Sequence, residues 1–187
     1  MEYCASEDWR RLVQDTILPV ALRDVSLGDD ALEIGPGPGF TTDVLRTMTS
    51  HLTAVELDEG LAAQLSRRLG AENVDVVLGD ATALEFPDAR FSGAASFHML
   101  HHIAPSAQQD RVFEELARVL VPSGVLVAAD GVYSEGSAAF HENDTYNPID
   151  PDDLVDRLGR AGFGDIHVGV YELGWVCTAR AAASSSA

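Results

Sequence analysis

Residues 31–40 read Ala31-Leu-Glu-Ile-Gly-Pro-Gly-Pro-Gly-Phe40, an apolar run that passes straight into three glycines at alternate positions, Gly35, Gly37 and Gly39. Glycine lacks a Cβ, so its backbone accepts positive φ and lets a second molecule come close. The helical pattern that follows would aim unpaired backbone N–H groups at an anionic ligand group. The stretch therefore predicts a strand, a ligand-facing turn and a helix over 39–48.

Outward from this point, apolar strand-like runs alternate with helical ones. Strands are expected near 31–34, 52–57, 74–78, 92–97 and 124–130, and helices near 39–48, 59–69, 107–120 and 151–161. Such alternation belongs to an α/β fold, a doubly wound and mostly parallel sheet. Ile166–Leu173 and Trp175–Ala179, joined at Gly174, read as a closing antiparallel hairpin and bring the sheet to seven strands. Asp8 to about Val25 reads as an amphipathic cover helix that Pro19 bends. The segment from Gly131 to Asp150 breaks the alternation. It leaves the carboxyl end of a strand, where ligands bind in such sheets, and is read as a substrate-facing loop. Residues 1–180 are expected to form one domain, and 181–187 a disordered small-residue tail.

Composition narrows the function. Thirty acidic against twelve basic residues give a formal net charge of -18, which disfavours binding nucleic acid through its phosphates. Every side-chain cation except histidine is an arginine; the chain contains no lysine, which removes side-chain Schiff bases and the P-loop lysine. The two cysteines, Cys4 and Cys177, make neither a zinc-knuckle spacing nor a disulfide framework, so a reducing cytoplasm is expected. No apolar run reaches the ~18 residues of a membrane span, and the start lacks the regions of a signal peptide.

Two carboxylates follow the glycine turn at useful distances. Glu56 ends the second strand, where it can take both hydroxyls of a ribose and would repel a 2′-phosphate. Asp80 ends the third, where it can accept from an adenine amino group. A dinucleotide turn wants G-x-G-x-x-G, whereas here Phe40 follows Gly39 directly. The sequence from Glu33 to Gly39, with Glu56, Gly79-Asp80-Ala81, the segment from Phe91 to His102 and the segment from Leu116 to Gly124, resembles the class I S-adenosylmethionine-dependent methyltransferases. The resemblance runs from about residue 8 to 180 and implies their Rossmann-like fold with S-adenosylmethionine as cofactor. It implies that Gly35, Gly37 and Gly39 pack against the methionine and ribose portion, that Glu33 helps hold the methionine amino group, that Glu56 binds the ribose, and that Asp80 and Ala81 frame the adenine. Ser96 joins the same cofactor shell. The family's common Pro-Gly-Gly is Pro122-Ser123-Gly124 here, a departure that touches a turn conformation.

Methyl transfer from a sulfonium is an in-line displacement that needs alignment more than chemistry from the protein. No metal is required, and although Asp130, Asn143 and Asp144 are candidates for a divalent-metal site, no spacing demands one. Where the acceptor is a hydroxyl a general base helps, and histidine suits neutral pH. His98 and His101, after the fourth strand, and His141, in the long loop, are the candidate catalytic residues; Tyr3 and Trp9 are candidates to cap the site. Residues 32–39 and 55–58 are also similar to the ribosomal RNA adenine dimethyltransferases. The Asn/Asp-Pro-Pro-aromatic signature of that chemistry is absent after the fourth strand, where Ser96-Phe-His-Met stands. A small-molecule acceptor is the expectation, with no nucleic acid or membrane partner. The alternatives are a catalytically silent cofactor-binding regulatory subunit and an NAD-dependent oxidoreductase. Glycine spacing and the missing Tyr-x-x-x-Lys pair disfavour the oxidoreductase.

Overall fold

The computed structural model describes residues 6–141 and 144–183. Five apolar runs form the parallel strands β1 (Asp30–Ile34), β2 (His51–Glu56), β3 (Val74–Leu78), β4 (Phe91–Phe97) and β5 (Leu120–Asp130). With β6 (Phe163–Tyr171) and β7 (Gly174–Ala181) they make one sheet in the order β3-β2-β1-β4-β5-β7-β6. β7 lies antiparallel between β5 and β6, which is the closing hairpin expected from the sequence. Gly174 is required at its start, since a Cβ there would lie 2.0 Å from the carbonyl oxygen of Asp130.

Each face of the sheet is covered because its central strands are apolar on both sides. On one face Val112, Phe113 and Leu116 of α5 (Ser106–Val119) and Leu154 and Leu158 of α7 (Leu154–Ala161) pack with Leu32, Ile34, Leu126 and Trp175. On the other, the N-terminal helical segment and α4 (Glu59–Leu69) bring Val13, Ile17, Leu18 and Leu65 onto Leu52, Ala54, Ala95 and Val127. That N-terminal segment is α1 (Glu7–Leu12), a π-helical turn over Val13–Ile17, and α2 (Leu18–Ala21). Pro19 stands in the first turn of α2, where its missing N–H costs least, so the wider π turn precedes it and the helix ends soon after.

Three expectations shift. The helix foreseen over 39–48 is only α3 (Thr42–Leu45). Beyond it the Thr47 and Met48 N–H groups bond three residues back, and the Thr47 hydroxyl donates to the Val44 carbonyl at 2.7 Å, a local bond that competes with helix. The long loop contains α6 (Glu135–Phe140), with Ser134 accepting from the Ser137 N–H as its cap. Pro122-Ser123-Gly124, expected as a turn before the fifth strand, lies inside β5 where its pairing with β4 shifts register, and Ser123 takes φ +64, the left-handed conformation that a glycine would adopt freely. β7 includes Ala181, and residues 184–187 of the expected tail, like Tyr3, Cys4 and Asn143, lie outside the described residues.

Phe113, 1% exposed, fills the space between α5 and the sheet. Phe113→Ala is expected to cost about 3–5 kcal/mol of unfolding free energy, whereas Val155→Ala, at a position 49% exposed, stays within about 0.5 kcal/mol. Urea titration of both variants checks this; equal midpoints would contradict the assigned core.

Candidate active site at the carboxyl ends of the parallel strands

The described candidate residues lie at or after the ends of β1 to β5, with Trp9 in α1 and His141 in the long loop. The turn after β1 holds Gly35, Gly37 and Gly39 at φ +66, +53 and +85. A Cβ on Gly35 would strike the Met99 side chain, and one on Gly39 would strike Leu65 and Arg68. At Gly37 nothing lies within 4 Å of that position. Two of the glycines are thus demanded by the protein's own packing, whereas the middle one faces open space in a conformation that ordinary residues resist. A cradle of this kind fits a ligand lying against the turn.

Two carboxylates fix its shape. Glu56 is buried at the end of β2; its Oε2 accepts from the Gly37 N–H and its Oε1 from the Asp58 N–H, both at 2.9 Å. Glu33 is 1% exposed beneath the turn, and its two oxygens accept from the hydroxyls of Thr41 and of Thr42, the latter at 2.7 Å. Burial raises its pKa to about 7, against the pull of those two hydroxyls. The resemblance implies that Glu33 helps hold a methionine amino group; in the structure its carboxylate is tied to Thr41 and Thr42 beside the turn. Thr41 and Thr42 were not singled out from the sequence, although two threonines eight and nine residues after a strand acid are the available signal. Asp80 is exposed after β3 and accepts from the Thr82 N–H and hydroxyl, both at 2.8 Å, with Ala81 half-buried beside it. Ser96 is buried in β4, and its Oγ has no hydrogen-bond partner among the described residues.

Beyond the turn lies a cavity of about 370 Å³ whose walls include Trp9, Leu12, His98, His101, His141 and Tyr146. The Gln14 side chain donates to the Phe40 carbonyl at 3.1 Å and so ties the cover helix to the glycine turn. His98 follows β4 directly, at φ +51, with its N–H on the Ala129 carbonyl and its ring edge-on to Trp9 at 5.1 Å. Burial lowers its pKa, so the ring is neutral near pH 7, and its Nε2 is buried without a hydrogen-bond partner among the described residues.

His101 is held differently. Asp130, at the end of β5, takes the His101 N–H at 3.0 Å on Oδ2 and its Nδ1 at 2.5 Å on Oδ1. Burial opposes a charge on Asp130, but the His101 bond, with His101 and His98 nearby, outweighs it and holds the carboxyl below its usual range. Asp130 thus orients the histidines; the sequence offered it only as a metal candidate. The long loop returns to this point through Asn147, whose N–H donates to the His101 carbonyl at 2.7 Å and whose side chain donates to the Ile103 carbonyl at 2.9 Å. Gln109 of α5 clamps the same junction, donating to the carbonyls of Leu100 and Asn147 at 2.9 and 2.7 Å. That return brings His141 to 5.1 Å from the His101 ring and stacks it on Tyr146 at 4.6 Å.

Comparison with known proteins places this arrangement. Residues 32–128 match a family model described as a methyltransferase domain. A probable ribosomal RNA small subunit methyltransferase A of Methanothermobacter thermautotrophicus is 38% identical over 88 residues, covering 42% of this chain and 32% of that protein. A probable S-adenosylmethionine-dependent methyltransferase of Mycobacterium tuberculosis is 29% identical over 144 residues, covering 73% of this chain and 49% of that protein. The chain therefore spans between a third and a half of the length of these relatives. Among solved structures, a Pyrococcus horikoshii protein superposes with a TM-score of 0.79 at 16% identity, covering 97% of this chain and 99% of its own. DhpI, in its complex with SAM and HEP, superposes with 0.72 at 21% identity over 90% of this chain and 86% of its own. At these identities the superpositions establish the fold.

The buried Glu33 carries a pH signature. A carboxyl whose folded pKa lies near 7, above the 4.5 of the unfolded chain, binds more protons folded than unfolded between those values. Its contribution to stability is complete below the lower value and is lost as pH rises through the upper one. Glu33→Gln, which carries no charge at any pH, is expected to gain on the parent chain by roughly 2–3 kcal/mol between pH 5 and pH 8. Urea midpoints of both proteins at the two pH values measure the gap, and a gap that stays constant or narrows would refute the raised pKa.

Proposed function

The chain belongs to the methyltransferase-domain family, and from that premise we propose that it transfers a methyl group from S-adenosylmethionine, by direct displacement, to a small-molecule acceptor in the cavity beyond the glycine turn. The observation that carries the reading is Gly37, held at φ +53 with nothing within 4 Å of its missing Cβ while Glu56 grips its N–H. That combination leaves an open approach to the turn with a carboxylate beside it. Bound S-adenosylmethionine supplies an activated methyl on a sulfonium.

The chain's own residues do the rest. Glu56 keeps acceptor lone pairs beyond its two backbone bonds, and these take the ribose hydroxyls. Asp80 and Ala81, at the end of β3, frame the adenine, and the buried Ser96 hydroxyl is a further donor on the cofactor side. Trp9, Leu12 and Ile17 line one side of the cavity and exclude water from the transfer. His98 is the base where the acceptor is a hydroxyl or a protonated amine: its ring is neutral and lines the cavity, and its Nε2 is free of other described partners. His101 and His141 also line the cavity and orient the acceptor.

A small acceptor is favoured over RNA by the cavity's mainly apolar walls and by the net charge of -18. The likeness to ribosomal RNA methyltransferases makes RNA the second reading. No helix among the described residues is long and apolar enough to cross a membrane. A reducing cytoplasmic setting is supported by Cys177, a buried free thiol whose pKa burial pushes up to about 12.

Calorimetry with S-adenosylhomocysteine, using NAD as control, is expected to give micromolar binding to the former alone. Glu56→Ala weakens that binding by about 1.5–3 kcal/mol, through lost charged hydrogen bonds, and Gly37→Val abolishes it. His98→Ala retains it while slowing turnover by about 10²–10⁴-fold. The acceptor class is read by incubating labelled methyl donor with a small-metabolite extract and, separately, with ribosomal RNA. Label in RNA alone would overturn the small-molecule reading, and unchanged affinity in both cofactor-site variants would overturn the site.

A further inference from the structure

We propose that His101, His102 and His141 form a binding site for a divalent late transition metal ion, Zn²⁺ foremost, on the wall of the acceptor cavity. One ring nitrogen from each of the three lies within 4.8 Å of the others. Two neighbouring residues at the end of β4 supply two of the rings, 4.1 Å apart, and the returning loop supplies the third, 5.1 Å from His101 and 5.3 Å from His102. Three histidines from two separate segments meet in one place.

The outer partners carry the argument further. A histidine that ligates a metal usually gives its other ring nitrogen to a carboxylate or a backbone carbonyl, which fixes the tautomer and the ring. Two of the three rings have such a partner, on Nδ1 in each case, and the third has a carboxylate close by. His101 Nδ1 is 2.5 Å from Asp130, His141 Nδ1 is 2.7 Å from the Ser137 carbonyl, and His102 Nδ1 is 3.5 Å from Asp144. With the proton on Nδ1 of His101 and His141, the lone pair of those two rings falls to Nε2. Imidazole Nε2 is the donor that Zn²⁺, Ni²⁺ and Co²⁺ accept, in contrast to the all-oxygen sets of Mg²⁺ and Ca²⁺.

Geometry permits the ion. Nitrogens at about 2.0–2.1 Å from a tetrahedral Zn²⁺ stand about 3.4 Å apart, so the three must draw in from their present spread. Three protein ligands leave a fourth position. His101 and His141 both line the cavity, so that position faces the acceptor. The ion would hold an acceptor oxygen or nitrogen there, in the cavity that His98 also lines. This deepens the acceptor side of the proposed function and leaves the cofactor side independent of it.

The test uses tag-free protein stripped with chelator and then titrated with Zn²⁺ by calorimetry and with Co²⁺ by visible absorption. One equivalent of Zn²⁺ is expected at micromolar affinity or tighter, with the intense visible bands of a four-coordinate cobalt site. His141→Ala and His102→Ala each weaken Zn²⁺ binding at least tenfold, while His167→Ala, an exposed position on β6, leaves it unchanged. His101→Ala is set aside because it strips buried Asp130 of its partner. S-adenosylhomocysteine binding is measured on the same samples and stays within twofold throughout, so a failed metal site and a failed cofactor site give separate signatures. Absence of a stoichiometric site, or Zn²⁺ affinity that His141→Ala and His102→Ala leave untouched, overturns the proposal.

Discussion

The site depends on two buried carboxylates that hold one backbone turn from below. β1 and β2 are adjacent parallel strands, and the chain must leave β1 through three residues of positive φ before it can enter α3. A turn of that shape has little reason to persist unaided, because glycine loses more conformational entropy on ordering than any other residue. Glu56 reaches across from β2 to the Gly37 N–H, Glu33 reaches down to Thr41 and Thr42, and the Gly35 N–H donates to the Val55 carbonyl at 2.9 Å. The turn is therefore stitched to both strands at its start, middle and end. Burying carboxylates is costly unless they are hydrogen-bonded, and each of these four oxygens has its donor. What the protein spends there on desolvation is returned as a preformed cradle rather than as net stability.

A second carboxylate system organises the acceptor side by the same logic. Asp130 closes β5 one strand away from His98, and it receives the backbone and the ring of His101 while its own chain continues into Gly131. Gly174 of β7 presses against the Asp130 carbonyl, so the antiparallel hairpin at the sheet's edge takes part in holding the residue that holds the histidines. Loop and sheet are joined in turn by Gln109, whose carbonyl oxygen accepts from Arg157 at 3.0 Å while its amide bridges Leu100 and Asn147. The cavity wall is thus reached from α5, α7, β5 and β7 together, and its shape follows from packing far from the cofactor.

The sheet was legible because parallel strands buried on both faces read as short unbroken apolar runs, and β3 and α4 fall on the residues expected for them. Legibility failed where local bonds compete with periodicity. Residues 46–50 carry a helical pattern only if Thr47 is read as a spacer, and its hydroxyl instead bonds Val44 and ends the helix. On the cofactor side the positions of the acids at strand ends were readable, since register fixes where a strand ends. The inward role of Glu33 was not, because it rests on two hydroxyls that lie beneath the turn only once the chain has folded over it.

The histidines show the deeper limit. His98, His101 and His102 are neighbours in sequence and carry the same side chain, yet one faces a tryptophan, one is bound to a buried aspartate and one leans on a loop residue. What divides them is backbone: His98 takes φ +51 directly after β4, and a single turn of 3₁₀ helix from Leu100 to His102 carries the next two rings. A sequence motif records which residue types are present at a strand end. Their roles are assigned by the φ of one residue and by the partners that distant strands and loops deliver, and so the same Leu-His-His segment can serve different chemistry on different members of one fold.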